Sequence, residues 1–305
     1  MIRIDNLTKS YGPFTAVKGL SFSVAPGEVL GFLGPNGAGK STTMKMITGY
    51  LAPSSGRITV FDHDVAEAPV QTKQLIGYLP EGAPSYEAMT VQQFLRFVGR
   101  VRGLRGTALE QRLSQVAAQL QLDAVLPQTI ETLSKGFKRR VGLAQAILHD
   151  PRVLILDEPT DGLDPNQKQE VRNLIASLSR DKIVIVSTHI LEEVAAVCSR
   201  AIIIAGGRML ADDTPQQLAA RSRYHGAVSM ILPGATNAES ELVKLPQVAS
   251  VEVDQERLVV FPKAGESLFA PVNELIQRHQ WQVEALHVER GRLDEVFRDI
   301  TREVA

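Results

Sequence analysis

Hydrophobic and polar positions change rhythm several times along this chain. Over residues 1 to 32 apolar residues alternate with polar ones (IRIDNL, then AVKGLSFSV), broken at Gly12-Pro13 and Pro26-Gly27, which predicts short antiparallel strands. EVLGFL, Glu28 to Leu33, is apolar nearly throughout, and TTMKMITGYL has helical spacing, so a strand passes into a helix across the intervening turn. RITVF from Arg57 and IGYLP from Ile76 read as a second strand pair. From Thr90 to about Leu126 the apolar positions (Phe94, Leu95, Val98, Val101, then Leu109, Leu113, Val116, Leu120) recur at helical spacing without a strand signal, predicting a helical insert. β-Branched runs return at VLILDEP, KIVIVSTH and RAIIIAGG. Strands buried on both faces of a parallel sheet have this look.

Beyond Tyr224 to Gly226 a new unit begins. Its order is strand (AVSMILP), helix (AESELVKLP), strand (VASVEVD), strand (RLVVFP), helix (LFAPVNELIQRH), strand (WQVEALHV) and a closing helix (LDEVFRDITREV). This is the βαββαβ order of ferredoxin-like α+β domains with one helix added. A length of 305 residues also points to two domains, because single cores stop growing near 250 residues. The expected division is 1–222 and 223–305, with a helical subdomain at about 85–150.

Charge adds an exclusion. Lys and Arg number 33 against 34 for Asp and Glu, so no global charge argues for nucleic acid or an anionic membrane surface. One cysteine, Cys198, excludes an internal disulfide and fits a reducing compartment. No apolar run nears the ~20 residues that span a bilayer, and the first residues lack a signal-peptide core. The expectation is a soluble, cytoplasmic protein whose membrane role, if any, comes through a partner.

The chemistry concentrates at the strand-to-helix turn, GPNGAGKS, Gly34 to Ser41, which fits the P-loop pattern. Gly34, Gly37 and Gly39 let backbone amides converge on phosphate oxygens, and the helix beginning near Lys40 adds its positive end. Lys40 then reaches the β/γ-phosphates of a nucleoside triphosphate and Ser41 ligates Mg²⁺. VLILDEP ends in Asp157 and Glu158, whose side chains are expected to diverge if the strand continues through both. One suits the metal; the other suits the attacking water. Thr188-His189 closes another strand at the same sheet edge.

Together, GPNGAGKST, LSKGFKRR from Leu133, VLILDEPTDGLDP from Val153 and STH from Ser187 resemble the ATP-binding subunit of an ABC transporter, over residues 1 to about 220. The resemblance implies an α/β P-loop NTPase: a RecA-like core sheet, an antiparallel β subdomain and a helical insert. It also implies two protomers closing head to tail around two ATP molecules. Tyr11 would stack on adenine, and Gly34, Pro35, Asn36, Gly37, Ala38, Gly39, Lys40, Ser41 and Thr42 would hold the phosphates. Ser134 and Gly136 would complete the neighbour's site, Asp164 would link the two sites, and His189 would sense the γ-phosphate. Ser41, Asp157 and Glu81 would hold Mg²⁺, Glu158 would activate water, and integral membrane permease subunits would take up the motion at the cytoplasmic face.

Two positions depart from the family pattern. Glu81 stands where glutamine is usual, and the signature LSGGQ reads LSKGF, with Lys135 and Phe137 substituted. IGYLPE with LSKGF resembles an export or gliding-motility branch whose members carry a small C-terminal domain, for which a regulatory or dimer-stabilising role is expected. The basic run Lys135, Lys138, Arg139, Arg140 has no aromatic platform beside it, so nucleic acid is not an expected partner. Asp62, His63 and Asp64 read as a solvated turn, and Trp281 as a core residue opening a strand. The competing functions are a soluble mechanical ATPase, for example in cofactor assembly, and a nucleotide-gated module with negligible turnover.

Overall fold

The computed structural model describes residues 1–83, 85–233 and 237–302. The chain forms two compact units, one built on Met1–Thr214 and the other on Pro215–Ile300.

In the first unit, β1 (Ile2–Tyr11) and β2 (Phe14–Val24) form a hairpin, and β3 (Val29–Leu33) leads into α1 (Lys40–Ile47). Then come β4 (Ser55–Val60), β5 (His63–Asp64), α2 (Pro69–Leu75) and β6 (Ile76–Leu79). The insert contributes α3 (Val91–Val101) and α4 (Gly106–Gln119), followed by α5 (Lys135–Ile147). Strands and helices then alternate: β7 (Val153–Asp157), α6 (Pro165–Leu178), β8 (Ile183–Thr188), α7 (Leu191–Val197), β9 (Arg200–Ala205) and β10 (Arg208–Asp213).

These strands make two sheets. One is antiparallel, in the order β2-β1-β4-β5; the other has six strands in the order β10-β9-β3-β8-β7-β6, parallel from β9 to β6. RITVF and IGYLP are therefore not a pair. β4 joins β1, with only Ile58 and Val60 buried, while β6 lies beside β7, where burial on both faces suits its apolar run. GGRMLADD, unread as a strand, supplies the antiparallel edge β10.

Both faces of the parallel sheet are covered, which is why its strands read as continuous apolar runs. Leu154, Leu156, Val184 and Val186 pack with the helical side, including Phe94, Leu113 and Ile147. The alternate residues Ile155, Ile185, Ile202 and Phe32 pack with α1 and the antiparallel sheet through Met44, Ile4 and Phe22. The insert starts cleanly because Thr90 and Gln93 form a reciprocal capping box, worth about 1 kcal/mol. Where β6 meets α5, two glycines set the spacing. A Cβ on Gly77 would lie 2.1 Å from the Ala146 carbonyl oxygen, and one on Gly142 would lie 2.7 Å from Leu79 and 2.8 Å from Ala83.

The second unit opens with α8 (Pro215–Ala219) and continues β11 (Val228–Ile231), α9 (Ala238–Leu242), β12 (Val248–Asp254), β13 (Arg257–Pro262), α10 (Phe269–His279), β14 (Ala285–Val288) and α11 (Leu293–Arg302). Its antiparallel sheet has the order β12-β13-β11-β14, with Val228, Met230, Leu258, Val260, Val272 and Leu275 in its core. Trp281 opens no strand. It follows the left-handed residue Gln280, stacks on His279 with ring centroids 5.1 Å apart and packs against that core from its margin.

Candidate functional site

The turn between β3 and α1 sits at the carboxyl end of the central strand, where open α/β sheets place ligands. Its glycines are required for two different reasons. A side chain on Gly34 or Gly39 would collide with the carbonyl oxygens of Ile204 (2.4 Å) and Ala16 (2.6 Å). Around Gly37 there is open space, but its φ of +80° lies in the left-handed region. Gly39, also left-handed, caps α1 without a side-chain bond, so the first-turn amides are left for a ligand. Lys40 is buried, and its Nζ donates to the carbonyls of Gly34 (2.7 Å) and Pro35 (3.2 Å). Burial pushes its ammonium below the ordinary lysine range, opposed by the nearby charges of Glu158, Asp157 and Glu81.

Asp157 ends β7 and is 1% exposed, and neither of its carboxylate oxygens has a hydrogen-bond partner among the described residues. Glu158 follows the strand instead of extending it: its φ is +50°, and its N–H donates to the Ser187 carbonyl at 2.8 Å. The strand ends at Asp157 and the backbone turns left-handed at Glu158, a correction to the expected strand alternation through both. His189, just past β8, lies with its Nδ1 2.9 Å from Glu158 Oε1.

A cavity of about 410 Å³ gathers Tyr11, Asn36, Gly37, Gly39, Lys40, Ser41, Thr42, Glu81 and Glu158, together with Phe14 and Ala16. Residues 17–161 match the family described as ABC transporter. The linearmycin resistance ATP-binding protein LnrL of Bacillus subtilis (strain 168) is 33% identical over 305 residues, 99% of this chain and 98% of that protein. The chain belongs to the ABC transporter ATP-binding proteins. The Nod factor export ATP-binding protein I of Paraburkholderia xenovorans (strain LB400) is 34% identical over 261 residues, 85% of each chain. A solved ATP-binding subunit of an ABC transporter superposes with a TM-score of 0.68 at 29% identity, covering 72% of this chain and 92% of that one. As an ABC ATP-binding subunit, the chain binds and hydrolyses ATP.

The remaining ABC motif residues are off the cavity lining. Ser134 caps α5, its hydroxyl accepting from Phe137 N–H at 3.3 Å. Gly136 faces Gln167 so closely that a Cβ would lie 2.7 Å from its Oε1. Asp164 caps α6 in a capping box with Gln167. Three of the four cations of the basic run are engaged inside the unit: Lys138 meets Glu87 at 3.3 Å, Arg140 meets Glu170 at 2.8 Å, and Arg139 is 4% exposed, while Lys135 is exposed. His63 and Asp64 form a short strand instead of a solvated turn, with Asp64 held by Arg57 and by the amides of Ala66 and Glu67.

The roles of three residues escaped the sequence reading, Arg139 having been named only as part of the basic run. Phe14 lines the cavity because β1 and β2 pair it directly with Tyr11; alternation on that hairpin was the available signal. Glu193, 4% exposed, accepts from Thr160 and from Thr188 (3.2 Å), bracing the Glu158 turn from α7. Arg139 donates to the carbonyls of Pro80 (3.2 Å), Asp157, Glu158 and Pro159 (3.3 Å). No spacing rule announces either of the last two.

Proposed function

We propose that two copies of this chain close head to tail around ATP and drive separate membrane subunits of an exporter. The observation that carries the reading is a division of labour. Lys40, Ser41, Glu81 and Glu158 share one cavity, whereas Ser134 and Gly136, at the amino end of a helix suited to anions, do not line it. A second copy supplies that helix end in the head-to-tail arrangement. In this reading Glu158 accepts the proton of the attacking water, His189 orients Glu158 and then meets the γ-phosphate, and Tyr11 stacks on the base.

The donor set fits Mg²⁺. Asp157 is a buried carboxylate with both oxygens unpartnered among the described residues, an expensive arrangement without a cation, and Ser41 and Glu81, which line the cavity, offer further oxygens. The ion would screen phosphate charge and orient the γ-phosphate; Ser41, Asp157 and Glu81 would hold it.

No helix among the described residues is long and apolar enough to cross a membrane, and in this reading the output passes to another protein. A groove of about 650 Å³ suits that role, lined by Tyr50, Val70, Tyr86, Phe97 and Val101, all exposed, between the sheet edge and the insert. Permease subunits at the cytoplasmic face of the inner membrane would dock there. Export is favoured by the relatives, one named for linearmycin resistance and one for Nod factor export. For residues 223–305 we retain a regulatory or dimer-stabilising role. The test is light scattering of the Glu158→Gln chain with Mg²⁺-ATP. A dimer that reverts to monomer with ADP is expected; a monomer under saturating ATP overturns the head-to-tail reading.

A further inference from the structure

We propose that Arg139 is a positioning residue that joins the helix carrying Ser134 to the turn carrying Glu158, so that each chain couples its two half-sites through one guanidinium. Arg139 lies on α5, one turn beyond the Ser134 cap, and is almost wholly buried. Its planar fork spans four acceptors. Three of them, the carbonyls of Asp157, Glu158 and Pro159, are consecutive and make up the backbone of the turn that aims Glu158; the fourth, Pro80, immediately precedes Glu81. Glu158 holds a left-handed φ of +50°, a conformation that a non-glycine residue keeps only when its surroundings fix it. Arg139 supplies that fixation from one side, and Glu193, through Thr160, from the other.

The geometry makes α5 and the Glu158 turn move together. In the head-to-tail dimer, on which this inference rests, Ser134 serves the neighbour's nucleotide while Glu158 serves the chain's own. Seating Ser134 on one γ-phosphate therefore sets the water-activating carboxylate at the other site, a coupling free energy between two sites that cooperativity reports. Lysine cannot substitute: its point charge has no rigid fork to bridge four carbonyls at once.

The experiment compares Arg139→Met and Arg139→Lys with the unmodified chain by calorimetry with ATP in the absence of Mg²⁺ and by steady-state ATPase assays over a range of ATP concentrations. Affinity should stay within about twofold, because Lys40 and the glycine turn are untouched, while kcat falls on the order of 10²-fold through misplacement of Glu158. The Hill coefficient, between 1 and 2 in the unmodified dimer, should fall to about 1 in both variants. If Arg139→Met does not fold, Arg139→Lys, which keeps the buried charge, carries the test alone. Unmodified kcat and Hill coefficient in the folded variants overturn the proposal, as does a Hill coefficient of 1 in the unmodified chain. The Glu158→Gln chain with Mg²⁺-ATP separates the two readings. If it stays monomeric, the dimer and this coupling fall together; if it dimerises while the Arg139 variants behave as unmodified, only the coupling falls.

Discussion

Two helix amino ends in the first unit meet the same physical demand in opposite ways. Both α1 and α5 begin with amides that lack intrahelical partners. At α1 the cap is Gly39, left-handed and without a side chain, so the amides face the cavity. At α5 the cap is Ser134, whose hydroxyl already takes the Phe137 amide through a long 3.3 Å bond, and α6 is closed more fully by Asp164 and Gln167. An open end binds whenever nucleotide arrives. A lightly closed end can exchange its own cap for a ligand, which suits a surface engaged only after a partner has come. In the proposed dimer the difference lies between permanent and conditional binding, written in the choice of glycine or serine.

Each half of that contrast can be broken separately. The largest effect is expected from Glu158→Gln: turnover measured by phosphate release should fall about 10³-fold, in the range of a lost general base, with ATP affinity retained. Turnover near the unmodified rate would remove Glu158 from its role. Next, Lys40→Ala should weaken ATP about 100-fold by calorimetry, since a charge-assisted contact to phosphate contributes about 3 kcal/mol. Unchanged affinity would mean that the open end of α1 is not where phosphate sits.

The far end of α5 offers a check without ligand. Burial holds His149 down to about 4, well below an ordinary histidine, with its Nε2 3.2 Å from the Ile76 carbonyl oxygen. The unfolded chain takes up this proton near pH 6.5 and the folded chain only near 4, so stability is complete above 6.5 and declines as pH falls between them. Urea titrations at pH 7 and 4.5 should differ by about 2 kcal/mol from this group, and His149→Gln should flatten that slope. A slope that survives the substitution would assign acid sensitivity elsewhere. Smallest is Ser134→Ala, expected to cost about 1 kcal/mol of stability through the lost cap while leaving Mg²⁺-free ATP affinity unchanged. A marked loss of that affinity would place Ser134 in the chain's own cavity and erase the contrast between the two helix ends.

The legible parts of this molecule were those whose chemistry is local. Gly34 to Ser41 is contiguous because a phosphate cradle is built from successive amides, and β7, β8 and β9 announced themselves because burial on both faces leaves no polar position to mask them. Strand partners were less legible. RITVF and IGYLP look alike, and only their distant neighbours, Ile4 on one side and Leu156 on the other, assign them to different sheets. Glu158 was found by its place in a motif, but its left-handed backbone depends on the Ser187 carbonyl, Arg139 and Glu193, contributed by three other segments. Arg139 read only as one of four cations in a basic run because its acceptors are carbonyls, which every residue has and no sequence marks.

The two glycines between β6 and α5 leave space for hydrogen atoms and nothing larger. Gly77 seats directly on the Ala146 backbone and Gly142 on the Leu79 and Ala83 side chains, so α5 cannot slip by a turn without collision and is bolted to the sheet edge. Any swing of the insert's outer arms must pivot there as a lever does on its pin, and a single methyl group at Gly77 or Gly142 would jam the pin.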